Sequence, residues 1–78
     1  MLTTKQIDEI IKNSGVPRYE FAMKAEVSEF YFCRLFRSEL NDKWKEKIIL
    51  VIKEVLEEKK NNINKLIQFM EENENESN

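Results

Sequence analysis

Apolar residues recur at helical intervals along most of the chain. Ile7, Ile10 and Ile11 share one face, with Ser14 a turn further on. Ahead of them, Thr3 and Gln6 stand at the spacing of a capping box, in which each side chain satisfies a backbone N–H left over at a helix start. Leu2 and Ile7 flank that cap as a hydrophobic staple would. Gly15 supplies a left-handed stop. A first helix is therefore predicted from about Thr4 to Ser14. Pro17 restarts the chain and suits the first position of a helix, where its missing N–H costs nothing. Phe21, Ala22 and Ala25 give an inward face to a short second helix over about residues 17–25. Glu26 and Val27 form a turn, and Ser28 is an N-cap for a third helix. Phe32, Leu35 and Phe36 mark the buried side of that helix, which is expected to end near Ser38. Asn41 or Asp42 caps a fourth, beginning at Lys43.

From Lys43 to Glu72 the pattern stays helical without Gly or Pro. Ile49, Ile52, Leu56, Lys59, Ile63, Leu66 and Met70 alternate at intervals of three and four, a heptad-like seam interrupted by Lys59. Ile48, Val55, Ile67 and Phe69 widen the stripe. Asn61 and Asn62 are poor helix formers, so the segment is either one long helix or a hairpin that turns there. Three parts are expected: a domain over 1–58, a C-terminal helix over 59–72 for packing or dimerisation, and a polar, disordered tail over 73–78.

Composition restricts the chemistry. The chain has 78 residues, one Gly and one Pro, too few for turn-rich β architectures, so an all-α fold of four or five helices is expected. It has no His and one Cys. Disulfide scaffolds, His/Cys zinc sites and imidazole-based nucleophilic sets are excluded. No enzymatic activity, cofactor or metal is expected. The longest apolar run, Ile48 to Ile52, is far short of the roughly 20 residues that span a bilayer, so no membrane partner is expected. The absence of a cysteine framework and of a signal peptide points to a reducing, cytoplasmic setting. Lys outnumbers Arg, with many Ile and Asn, as in AT-rich coding sequences of phages and low-GC bacteria.

Two short helices joined by a tight turn, the second opening with Ser, read as a helix-turn-helix. The segment RYEFAMKAEVSEFYFCRL, from Arg18 to Leu35, resembles the DNA-binding motif of the phage repressor and Cro-like family. Ala22 stands at that family's small residue in the first motif helix, where the second crosses closely. Phe21, Ala25, Val27, Phe32 and Leu35 match the apolar positions that hold the two helices together. Glu26 replaces the Gly usual at the turn, and a non-Gly residue in a left-handed conformation there costs roughly 1–2 kcal/mol. GVPRYEFA, VSEFYFCRLFR and the helix opening at LNDKWKEKI resemble short helix-turn-helix regulators of phages and mobile elements.

The resemblance implies a transcriptional regulator, such as a repressor, that places its third helix in the major groove of double-stranded DNA. Ser28, Glu29, Phe30, Cys33, Arg34 and Arg37 then point outward. Arg34 and Arg37 are suited to guanine O6 and N7, and Phe30 or Tyr31 to a thymine methyl. Arg18, Tyr19 and Lys43, with Lys45 and Lys47, would meet phosphates. Plainer roles exist for each. Arg34 and Arg37 pair with Glu29 or Glu39, Phe30 and Tyr31 complete the core, Cys33 fills space, and Trp44 is a core or flap residue.

Charge divides unevenly. Residues 1–47 carry nine basic and eight acidic groups, and residues 48–78 four and seven. A near-neutral motif binds DNA weakly as one copy, and two copies on adjacent half-sites gain through effective concentration. Leu56, Ile63, Leu66, Ile67, Phe69 and Met70 are the residues expected to form a homodimer interface. Two further readings remain: a protein-interaction adaptor or antirepressor with a regulatory protein partner, and an accessory recombination factor.

Overall fold

A computed structural model describes residues 2–76 as four helices, with no strand among them: α1 (Thr4–Asn13), α2 (Arg18–Lys24), α3 (Glu29–Leu35) and α4 (Asp42–Glu76). Each start has a chemical cause. Thr3 Oγ1 accepts from the Gln6 N–H at 3.1 Å, and Gln6 Oε1 accepts from the Thr3 N–H at 2.9 Å, completing the capping box of α1. Ser14 caps the other end, and Gly15 follows at φ 74°. Pro17 occupies the N-cap of α2 rather than its first helical position. Ser28 Oγ caps α3 through the Tyr31 N–H at 3.1 Å, and Asn41 Oδ1 caps α4 through the Trp44 N–H at 2.8 Å.

Helix α3 is shorter than its sequence pattern implies. It ends at Leu35, where i→i−3 bonds tighten the chain: the Phe36 and Arg37 N–H groups donate to the Cys33 and Arg34 carbonyls at 3.2 and 3.1 Å. The cause lies downstream. Leu40 is 5% exposed, and its N–H donates to the buried Thr4 Oγ1 at 2.9 Å. The chain leaves its helix early to drive Leu40 into the core and tie the segment to α1. Arg37 consequently sits just beyond the helix end.

The core joins Ile7 and Ile11 of α1, Phe21 and Ala22 of α2 with Ala25, Phe32 of α3, Leu40, and Ile48, Val51, Ile52 and Val55 of α4. Five large side chains, Phe21, Phe32, Ile7, Ile11 and Ile48, are essentially inaccessible, and each burial is worth about 1.5–3 kcal/mol. All core residues of α4 lie in its first half.

The rest of α4 runs unbroken through Asn61 and Asn62, so the hairpin alternative does not form. An Asn costs under about 0.7 kcal/mol against Ala in a helix interior, too little to break one without Gly or Pro. The helix also continues through residues 73–76, where a disordered tail is the sequence expectation; residues 77 and 78 lie outside the described part. The molecule is elongated, 57 × 25 × 17 Å. No helix among the described residues is long and apolar enough to cross a membrane.

Candidate nucleic-acid interface

The turn between α2 and α3 sets the geometry. Ala25 ends α2 in right-handed conformation, and Glu26 follows at φ 62°. The Val27 N–H then donates to the Ala22 carbonyl and the Glu26 N–H to the Met23 carbonyl, both at 3.0 Å. These are the two bonds of a Schellman motif with Glu26 at the left-handed position. The chain reverses within a few residues, and Ser28 starts α3 at once. Ala22 is 1% exposed and Ala25 fully buried, so small side chains stand where the two helices pack together. Phe32 on α3 is buried, and its ring lies 5.2 Å from that of Phe36.

This packing fixes which side of α3 meets solvent. Ser28, Glu29, Phe30, Tyr31, Arg34 and Arg37 are exposed. Phe30 is 71% exposed and Tyr31 44%, so neither completes the core. Cys33 is only half-buried, between the two sides. Among the described residues, neither Arg34 nor Arg37 enters an ion pair. The pairing with Glu29 or Glu39 open to them does not occur; Arg34 shares a groove with Tyr31, and Arg37, past the helix end, lines another with Thr4, Lys5 and Asp8.

Past the end of α3, the start of α4 extends this surface. Trp44 is half-buried, its ring 6.1 Å from that of Tyr31, and Lys47 Nζ lies 5.2 Å from the Trp44 centroid. Tyr31, Arg34, Ser38, Asn41 and Trp44 line a shared groove together with the acidic Glu39. Lys43 is exposed and unpaired among the described residues. Lys45 is not: it binds Glu39 Oε1 at 2.9 Å with only 13% of its side chain exposed. The Lys45 ammonium, and then Thr4, draw the Glu39 carboxyl below its usual range.

Arg18 and Tyr19, the other expected phosphate contacts, differ in their surroundings. Tyr19 is 49% exposed. Arg18 is half-buried, donates to Asp8 Oδ1 at 2.7 Å, and lies 6.0 Å from the Phe36 ring centroid. Burial works to raise the Asp8 carboxyl, but the Arg18 hydrogen bond and charge, with Lys12, outweigh it and hold the group below its usual value. Arg18 thus braces α1 against α2.

Two further bridges join α2 to α4. Lys59 Nζ donates to Glu20 Oε1 at 2.9 Å, and Lys24 Nζ to Glu58 Oε1 at 2.5 Å. The Glu58 carboxylate raises the Lys24 ammonium above its ordinary value. Lys59, an interruption of the apolar seam by sequence, thus ties α4 to α2, and Asn62 closes a groove with Tyr19, Met23 and Lys24 just beyond it. Residues 20 and 24 share a helix face and residues 58 and 59 neighbour one another, but nothing in the sequence marks the two pairs as opposed.

The six candidate interface residues of α4 are all exposed, from 36% for Leu56 to 64% for Phe69. Among the described residues, no cluster of three or more His, Cys, Asp or Glu is placed to hold a metal ion. Comparison with known protein families, curated proteins and solved structures finds no match to this chain.

Proposed function

We propose that this chain is a small, non-enzymatic, sequence-specific binder of double-stranded DNA. It acts as a transcriptional regulator of the phage repressor or Cro-like type, in the cytoplasm and as a homodimer. The observation that carries the reading is the outer face of α3. Arg34 stands exposed and unpaired among the described residues on the same short helix as the exposed Phe30 and Tyr31, with Arg37, also exposed and unpaired, two residues past its end; a Schellman turn holds that helix against α2. A guanidinium fork suits the two acceptors of guanine, and an exposed aromatic edge suits a thymine methyl. Lys43, Lys47 and Tyr19 flank the face as phosphate contacts, and Ser28, Glu29 and Cys33 border it. Arg18, already bound to Asp8, contributes through its remaining N–H groups.

The test is titration of the full chain with AT-rich mixed-sequence duplexes across a salt series, followed by fluorescence anisotropy. Affinity falls linearly on a log–log plot against salt, since each phosphate contact releases counterions. Replacing both Arg34 and Arg37 with Ala removes binding while circular dichroism stays unchanged. Absence of binding at about 50 mM salt, where such contacts are strong, would refute the reading. A protein-interaction adaptor is the second reading. The 71% exposure of both Phe30 and Met23 favours it, and it predicts capture of a protein partner with no response to duplex.

A further inference from the structure

Beyond Asn62, α4 leaves the body and carries a stripe that nothing among the described residues of its own chain covers. Ile63, Leu66, Ile67, Phe69 and Met70 are 48–64% exposed. An isolated helix of this length is marginal in water, and so continuous an apolar face marks an interaction surface. The charges beside it select the occupant. Lys60 and Glu71 are both exposed, and neither enters an ion pair among the described residues. Eleven helical steps bring the two within about 20° of the same edge. That edge is basic toward the body and acidic toward the far end.

We infer that two copies of this chain pair through the stripe in antiparallel orientation, centred near Leu66, with Lys60 of each copy against Glu71 of the other. The inverted copy presents an apolar centre to an apolar centre and opposite charges at both ends, a self-complementary two-fold interface. A parallel pair instead gathers both Glu71 carboxylates at one end of the interface, with the negative ends of both helix dipoles adding to the repulsion. A lipid surface fits less well, because Glu71 at the edge of the stripe would approach an anionic leaflet.

The homodimer belongs to the functional reading above; its orientation goes beyond it, and the pairing itself needs no DNA. For the DNA-binding reading the orientation has a metric consequence. Tyr31 of α3 packs beside Trp44, and 22 residues of helix separate Trp44 from Leu66, about 33 Å at 1.5 Å per residue. The two α3 helices therefore stand about 66 Å apart, close to two turns of B-DNA rather than one.

Sedimentation equilibrium on the full chain without DNA tests the pairing, with Lys60→Glu, Glu71→Lys and their combination. Wild type associates to a dimer. Each single exchange turns two attractions into two repulsions and weakens the dimer by about five- to tenfold. The combined variant recovers wild-type association, and so does an equimolar mixture of the two single variants, whose heterodimer is complementary at both contacts. A wild-type monomer up to roughly 1 mM, far above the range of specific interfaces, overturns the inference. So does a Glu71→Lys variant that associates more strongly, the result for a parallel pair. So too does a mixture no tighter than its components. Loss of duplex binding alone refutes the DNA reading and leaves this one standing.

Discussion

Replacing Glu26 with Gly is expected to stabilise the protein, although it removes a side chain and gives the unfolded chain more freedom. Glu26 holds φ 62° in the turn between α2 and α3, a region in which the Cβ of an L-residue crowds the following carbonyl at a cost of roughly 1–2 kcal/mol. Glycine has no such clash but loses about 0.5–1 kcal/mol more backbone entropy on folding. The difference favours Gly by about 0.5–1 kcal/mol, because the exposed Glu26 side chain makes no ion pair among the described residues and nothing offsets the gain. For a chain of this size that shift is about 2–8 °C in Tm. Thermal and urea unfolding followed by circular dichroism, at low salt and at about 0.5 M salt to screen the lost charge, measure it. Glu26→Ala is the control: it removes the carboxylate while retaining a Cβ and is expected to stay within about 0.5 kcal/mol of wild type. An Ala variant as stable as the Gly variant would assign the gain to charge and refute the conformational account. A Gly variant no more stable than wild type would refute it outright.

The Asp8–Arg18 contact gives a pH signature. The folded state holds the Asp8 carboxyl below its ordinary value, so its contribution is complete above the unfolded value near pH 4 and is lost as pH falls through the folded one. Asp8→Asn is expected to be less stable than wild type at pH 7 by about 0.5–1 kcal/mol, with the gap closing toward pH 2 in denaturant titrations; a constant gap would exclude the ionised pair as its source. Phe30→Ala, at a side chain 71% exposed, is expected to leave stability within about 0.5 kcal/mol while weakening duplex binding several-fold. A loss of more than about 2 kcal/mol would place Phe30 in the core instead.

The local punctuation of this chain was legible from its residues. The capping box at Thr3 and Gln6, the left-handed Gly15, the N-caps at Ser28 and Asn41, and the turn at Glu26 depend on contacts within a few positions, where sequence spacing and spatial distance coincide. The outward direction of Ser28, Glu29, Phe30 and Arg34 follows from helical periodicity with Phe32 and Leu35 inward, whereas Cys33, outward by the same reading, is half-buried and Arg37 is exposed past the helix end. Whether Asn61 and Asn62 begin a hairpin was open by pattern alone, because their small propensity cost allows either outcome, and the fold keeps a single helix.

Tertiary structure decided the remainder, through contacts between distant positions. The early end of α3 answers to Thr4, which binds the Leu40 N–H from 36 positions away. Arg18 braces Asp8, Lys45 is drawn to Glu39, and Lys59 is drawn to Glu20, so three cations that look alike in sequence leave the set of free charges. Arg34, Arg37 and Lys43 stay in it: none forms an ion pair among the described residues, although Glu39 shares a groove with each arginine. Sequence by itself determined which residues can turn, cap and face outward, since those are local properties of the backbone. Which charges remain available to a partner is a property of the packed whole, because one carboxylate at ion-pair distance is enough to engage a cation.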